Sequence, residues 1–260
     1  MKSYLFPIYS ALVYWLKKED RYSLQGPFIS DLYQKLQSFL LHSRMKDLEL
    51  ENIRQELLRD QEILKIDDFG AGSKKLKKNK FRKTSKVTKY STTGRKFSQI
   101  YQFFCSLTPA KHVFELGTCV GINTKYLEKA TKGELYTIEG SKALWRKAQE
   151  KKTGENTHFL LGNIKEILPG YLSQKGEVDF ALIDATHNYE GTRSYFNTLL
   201  PYLHERSIII IADIHWSWEM EKAWEEIIGN SAVSLSIDFY ECGVLFFRKD
   251  LTKTNYILTI

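Results

Sequence analysis

The stretch Val113-Phe-Glu-Leu-Gly-Thr-Cys-Val-Gly-Ile-Asn-Thr124 decides the fold. A short apolar run, Val113-Phe114, leads into Glu115 and the turn Gly117-Thr-Cys-Val-Gly121, and a helix-compatible segment, Asn123 to Ala130, follows. Two glycines four apart at a strand-to-helix turn let the backbone bend tightly and come close to a ligand. The first turn of the next helix then points free N–H groups at it. Further on, Leu135-Tyr-Thr-Ile138 reads as a second strand ending in Glu139. A carboxylate there is placed to accept two hydrogen bonds from a ribose diol, so the pattern predicts a nucleoside-binding site.

The dinucleotide fingerprint is Gly-x-Gly-x-x-Gly. Here the spacing is Glu-Leu-Gly-Thr-x-x-Gly, with one close glycine and a carboxylate in front, which argues against an NAD-dependent dehydrogenase. The stretch resembles motif I of class I S-adenosylmethionine (SAM)-dependent methyltransferases, especially the small-molecule O-methyltransferase branch. The resemblance covers about residues 95–250. It implies a Rossmann-like α/β fold with a mostly parallel seven-stranded sheet that finishes in an antiparallel hairpin.

Composition sets the outer bounds. At 260 residues the chain can hold one large α/β domain with an appendage, or two small domains. Hydrophobic residues make up 43% and charged residues 27%, ordinary values for a globular protein. Cys105, Cys119 and Cys242 are scattered without a C-x-x-C pair, against a disulfide framework or a zinc site. The apolar, aromatic segment from Tyr4 to Leu16 is too short to span a bilayer and has no small-residue cleavage site, so the expected location is the cytoplasm. From Phe69 to Val113 there is no acidic residue, while Lys and Arg number twelve. With a total charge of +7, the rest of the chain is therefore acidic overall.

Ahead of the motif the expected organisation is a helical N-terminal extension over 1–68, which could mediate a homodimer, and a basic loop or linker over 69–93. The SAM-binding domain then occupies 94–260. Within the extension, Leu32, Leu36, Phe39 and Leu40 share one face of a helix near 31–41. Leu50, Ile53, Leu57 and Leu64 predict a second helix over about 46–65. Lys74 to Lys83 is too charged to pack as a core element, and the whole stretch Lys74–Arg95 is expected to be mobile. A helix resumes near Gly94 and runs to Ser106. Strands are then expected at 112–116, 135–139, 157–161, 178–183 and 207–212, and a helix near 218–228. The near-continuous apolar runs Val178–Ile183 and Ser207–Ala212 are what parallel strands covered on both faces look like. A hairpin of 233–240 with 243–248 closes the chain.

In open α/β sheets ligands sit beyond the carboxyl ends of the strands. All five strand ends here carry a carboxylate or amide: Glu115, Glu139 with Gly140 and Ser141, Asn163, Asp184 with His187 and Tyr189, and Asp213 with His215 and Trp216. The resemblance implies that Glu115, Gly117, Thr118, Gly121, Glu139, Gly140, Ser141, Asn163 and Asp184 hold SAM. Within that set Gly117 and Gly121 would line its methionine part, Glu139 its ribose and Asn163 its adenine. Ile183-Asp-Ala with His187 and Tyr189 is similar to a segment of the small-molecule branch. In the cation-dependent members, an aspartate at the Asp184 position and an Asp-Asn pair after the fifth strand hold a divalent metal. Asp184 and Asp213 are thus candidate Mg²⁺ ligands, but Ile214 stands where the asparagine would be. His187, Asp184 and His215 are the candidate catalytic residues, the histidines as bases that remove the acceptor's proton. Trp216, Trp218 and Tyr189 could wall the acceptor pocket.

The function these residues favour is SAM-dependent methyl transfer to a small molecule, on oxygen. Two alternatives stand beside it. The basic 74–96 segment suggests RNA methylation through sequence-independent phosphate affinity, although no RNA-binding module accompanies the lysines. The other is a nucleoside-binding module without chemistry.

Overall fold

A computed structural model describes residues 5–20, 22–24, 26–66, 80–151 and 154–260. The chain opens with α1 (Phe6–Lys17), α2 (Pro27–Lys46) and α3 (Leu48–Arg59), followed by the short strands β1 (Ile63–Lys65) and β2 (Phe81–Lys83). Next come α4 (Thr84–Ser91), α5 (Arg95–Ser106), β3 (His112–Leu116), α6 (Ile122–Ala130), β4 (Glu134–Glu139), α7 (Lys142–Gln149) and β5 (Thr157–Leu161). The remainder is α8 (Ile164–Lys175), β6 (Val178–Ile183), α9 (Tyr189–Leu199), β7 (Leu203–Ala212), α10 (Trp218–Gly229), β8 (Leu235–Asp238), β9 (Cys242–Phe246) and β10 (Thr254–Ile257).

The main sheet has the order β10-β8-β9-β7-β6-β3-β4-β5. Strands β5, β4, β3, β6 and β7 run parallel, and β9 enters antiparallel between β7 and β8. Successive residues of the central strands face opposite sides. Val113, Leu135, Phe180, Leu182, Ile208 and Ile210 pack on α2 and α5 side chains such as Leu36 and Ile100. Phe114, Tyr136, Ala181, Ile183, Ile209 and Ile211 pack on α8, α9 and α10. The result is a three-layer α/β/α sandwich, as near-continuous apolar strands require. Chain order reverses at β3, whose neighbours are β4 on one side and β6 on the other, and that switch point opens a crevice at the carboxyl ends.

Three details depart from the sequence reading. The sheet has an eighth strand, β10, parallel to β8, beyond the seven expected. The second helix of the extension stops at Arg59, and Leu64 instead points into the core from β1. The basic stretch is not a loop over its described part. Phe81–Lys83 pairs antiparallel with β1, and α4 buries Thr84, Val87 and Thr88 while its lysines face outward. The segment 67–79, with Lys74 to Lys78, lies outside the described residues.

Val87 joins Leu50, Leu57, Leu64 and Ile66 in a third apolar cluster with Val120, Ile122, Tyr126 and Leu144. Helices α3 and α4 are thereby seated against the 117–121 turn and the helices beside it. At the other end of the sheet, α1 contacts the C-terminal strand region: the Tyr14 hydroxyl donates to the Leu258 carbonyl at 2.6 Å, and Glu19 bridges to Leu258. Among the described residues no helix is long and apolar enough to cross a membrane.

Candidate active site

A cavity of about 540 Å³ opens at the carboxyl ends of β3, β4, β6 and β7. Its floor is the turn after β3. Gly117 has φ 104°, and a Cβ there would lie 2.1 Å from the Asp184 carbonyl oxygen, so only glycine lets β3 and β6 deliver their loops side by side. Gly121 has φ 81° and caps α6, and a Cβ on it would press on Ala148 at 3.1 Å. The close packing between these two glycines leaves the first turn of α6 facing the crevice.

Glu139 stands at the end of β4 with its carboxylate already oriented. Oε2 accepts the Cys119 N–H at 2.9 Å and Oε1 the Ser141 N–H at 2.8 Å. The first bond comes from the 117–121 turn and the second from the loop that starts α7, so the Glu139 carboxylate ties the two together. Thr118, Gly140 and Asn163 line the cavity too. Asn163 also caps α8, its Oδ1 accepting the Lys165 N–H at 3.0 Å.

Opposite Glu139, the loops after β6 and β7 bring Asp184, His187 and Asp213 together. Nε2 of His187 lies 3.3 Å from Asp184 Oδ1 and 3.2 Å from Asp213 Oδ2. Thr186, His187 and Asp213 all have positive φ, at 67°, 46° and 56°. Backbone strain of this kind gathers where a site dictates side-chain placement. Burial by itself would lower the His187 pKa, but the hydrogen bonds and charges of the two aspartates outweigh it and hold the imidazole up to about 10. At neutral pH His187 is therefore an imidazolium set between two carboxylates, rather than the free base expected from its position.

Not every expected residue reaches the cavity. Glu115 is fully buried beneath the turn, where Thr124 and Thr137 donate to its Oε2 at 2.6 and 2.5 Å. Burial pushes its carboxyl up to about 8, and its Oε1 has no hydrogen-bond partner among the described residues. It supports the turn from below instead of touching a ligand in the cavity. His215 turns away: it pairs with Asp238 at 2.7 Å and Glu221 at 3.3 Å and stacks on Tyr240. Ser141 is buried at the start of α7 and contributes its N–H rather than its side chain. Trp216 does line the cavity, whereas Trp218 packs on Phe6 and Tyr9 of α1, and Tyr189 bonds Glu226 on the α9–α10 surface.

Other cavity residues, Asn123 apart, had no signal in the sequence. Thr93 and Asn123 both bond Asp184 Oδ2, at 3.3 and 3.1 Å. Cys119, Tyr101, Lys89 and Glu241 add to the lining. A donor-acceptor hint existed for Asn123 alone, since it follows the glycine turn directly.

Asp184, His187 and Asp213 place one donor atom each within 4.8 Å of one another, close enough to surround a cation. The Asp-Asn pair that the resemblance implies after the fifth strand is not reproduced. Ile214 is fully buried in the core, and the imidazolium of His187 already sits between the two carboxylates. Mg²⁺ is usually held by one or two carboxylates and keeps several waters, so Asp184 and Asp213, with His187 in place of the missing asparagine, are the residues that would hold such an ion.

Residues 114–214 match the family model described as a methyltransferase domain. The matched stretch runs from β3 to the loop after β7 and is similar to a methyltransferase domain. The structure is similar to the O-methyltransferase TomG from Streptomyces achromogenes, solved with SAM, at 16% identity and a TM-score of 0.51, covering 61% of this chain and 82% of that one. It is also similar to the S-adenosylhomocysteine-bound methyltransferase of Podospora anserina, at 17% identity and a TM-score of 0.51, covering 61% and 81%. The O-methyltransferase from Bacillus cereus in complex with S-adenosylhomocysteine has 15% identity and a TM-score of 0.50, covering 60% and 83%. At these identities the likeness speaks for the fold. A search of curated proteins finds no match. The methyltransferase match begins at Phe114, after the whole N-terminal extension and α4.

Proposed function

We propose that the protein transfers a methyl group from SAM to an oxygen of a small molecule. The observation that carries this reading is the pairing of two preset groups across one cavity. Glu139, oriented by the Cys119 and Ser141 N–H groups, stands on one side, where it would receive the ribose, and the Asp184–His187–Asp213 cluster stands on the other, where it would meet the acceptor. Gly117 and Thr118 line the wall between them, where the methionine part of the cofactor would lie.

Methyl transfer from a sulfonium is an in-line displacement, in which the enzyme aligns the acceptor and excludes water. The acceptor oxygen attacks the methyl carbon, the carbon–sulfur bond breaks with its electron pair retained by sulfur, and S-adenosylhomocysteine leaves. The acceptor's proton must go to a nearby base. Asp213, the more exposed of the two aspartates, is the group we assign to it, because His187 is already protonated. His187 then stabilises the negative charge that develops on the acceptor oxygen. Trp216 supplies an aromatic wall beside it, 6.1 Å from His187 between ring centroids. Mg²⁺ is no part of this reading, since the imidazolium provides the positive charge.

Calorimetric titration with SAM, S-adenosylhomocysteine and NAD in parallel tests the first half. Micromolar binding of the first two and none of NAD is expected. A screen of hydroxylated acceptors with labelled SAM tests the second half. Methyl incorporation only at nitrogen or in RNA would sink the oxygen assignment.

A further inference from the structure

A chain of buried polar groups runs from the N-terminal extension to the cavity. Arg54, on α3, is only 8% exposed. Its Nε bonds Glu51 at 3.0 Å, and one terminal nitrogen donates to the Thr93 carbonyl at 2.7 Å. The other terminal nitrogen reaches Ser98 Oγ at 3.4 Å. Ser98 in turn bonds Asn123 Oδ1 at 2.8 Å. The Asn123 amide donates to Thr93 Oγ1 at 3.0 Å and to Asp184 Oδ2 at 3.1 Å, and Thr93 Oγ1 lies 3.3 Å from the same carboxylate oxygen.

The donor and acceptor roles along this chain are not free choices. A guanidinium has only donors and a carboxylate only acceptors. Ser98 Oγ therefore accepts from Arg54 and gives its own hydrogen to Asn123 Oδ1. Because the Asp184 carboxylate can only accept, the Asn123 NH₂ must face it and Thr93, which turns Asn123 Oδ1 toward the Ser98 hydroxyl. Ser98 Oγ also lies 3.4 Å from the Gly94 carbonyl. Thr93 Oγ1, which accepts from Asn123, is left with its hydrogen for Asp184. Every bond thus runs in one direction, from Arg54 to Asp184. Arg54 also holds the carbonyl of Thr93 itself, so it fixes both the backbone and the hydroxyl partner of that residue.

We propose that Arg54 is a positioning residue for the methyl-transfer site. Through Ser98, Asn123 and Thr93 it sets the orientation of the carboxylate of Asp184, whose backbone packs against Gly117 on the cofactor side of the cavity, and holds the 92–94 turn, which lines the same cavity. The N-terminal extension is on this account part of the active-site machinery and not only a cover. The inference rests on the reading of the cavity as a SAM site.

The test is S-adenosylhomocysteine affinity, measured by calorimetry on the full chain for Arg54→Met, Thr93→Val and the double variant, with melting curves confirming that each is folded. Arg54→Met is expected to weaken affinity at least tenfold and Thr93→Val several-fold. Because both act through one path, the double variant should be no weaker than the weaker single variant. Arg54→Lys, which keeps the charge but loses the fork, should recover part of the loss. A purely structural Arg54 would give fold-losses that multiply with those of Thr93→Val, and that result overturns the proposal, as does affinity within twofold of wild type. If Arg54→Met does not fold, Ser98→Ala breaks the same path with little change of volume. It should show the same weakening and the same lack of multiplication with Thr93→Val, and wild-type affinity there overturns the proposal equally. Wild-type protein that binds no S-adenosylhomocysteine would instead remove the SAM reading, and the inference with it.

Discussion

The two preset charges of the site make separate demands on single residues. Glu139 accepts two backbone N–H groups with its two carboxylate oxygens, so a ribose would add to a carboxylate already held in place. Glu139→Ala should weaken SAM and S-adenosylhomocysteine binding by about 1.5–3 kcal/mol, the range for hydrogen bonds to a charged group. Calorimetry reading an unchanged affinity would take Glu139 off the ribose. His187 links the site to pH. Its folded pKa of about 10 lies above the value of about 6.5 in an unfolded chain, so the folded state binds the extra proton between those limits. The stabilisation is complete below about pH 6.5 and is lost as pH rises toward 10. Chemical denaturation at pH 6.5, 8 and 10 should show stability falling more steeply in wild type than in His187→Asn, and parallel pH slopes would disprove the charged bridge. Removing divalent ions makes a third demand. Treatment with EDTA should leave S-adenosylhomocysteine binding and any methyl transfer unchanged. Activity that disappears and returns with Mg²⁺ would show that a cation, not His187, sits between the aspartates.

At the scale of elements, the parallel core was legible because its strands are buried on both faces. Runs such as Val178–Ile183 and Ile208–Ile211 admit few other readings, and the strand-end rule led directly to Asp184, His187 and Asp213. What escaped was whatever depended on a few contacts. Strand β10 is short and reads Thr-Asn-Tyr-Ile, with no apolar alternation to announce it. Helix α4 was hidden by its charge: only Thr84, Val87 and Thr88 are buried, one turn's worth of inward residues among outward lysines. His187 and His215 both follow strand ends, and nothing local distinguishes them. The positive φ at Asp213 sends the chain back, so that Asp213 faces His187 while His215 falls to Asp238. The Arg54 path could not be read at all, because its members lie on four separate stretches. The apolar cluster around Val87 supplies its own test. Leu64→Ala and Leu57→Ala should each cost about 2–5 kcal/mol in denaturant unfolding, as large-to-small changes in a packed core do. A loss under about 0.5 kcal/mol would mean that the extension is only loosely attached. The same seat should shield Lys86 and Lys89 from trypsin, and early cleavage there would contradict the helix.

At the scale of the molecule, the extension grips the domain at two distant places. Near the cavity it does so through α3, α4 and Arg54. On the far edge, α1 and α2 hold the last strand: Tyr14 bonds the Leu258 carbonyl, Tyr33 bonds that of Thr259 at 2.6 Å, and Glu19 N–H bonds that of Ile257 at 2.7 Å. Helix α1 also leaves Ile8, Leu12, Trp15 and Leu16 exposed, at 70, 54, 62 and 66%. Since they bury little, Ile8→Lys and Leu16→Lys should shift unfolding by no more than about 0.5 kcal/mol, and a larger loss would mean that this face is covered in solution. The grip on the last strand has a consequence for the ribosome. Tyr14 and Leu258 are 244 residues apart, so helix α1 leaves the exit tunnel long before the strand it will hold has been made. At about 5–20 residues per second the wait lasts of the order of tens of seconds, during which an apolar helix has no docking site of its own. The segment carrying α1 is therefore open to chaperones throughout that wait, and it docks only once the stretch around Leu258 has emerged.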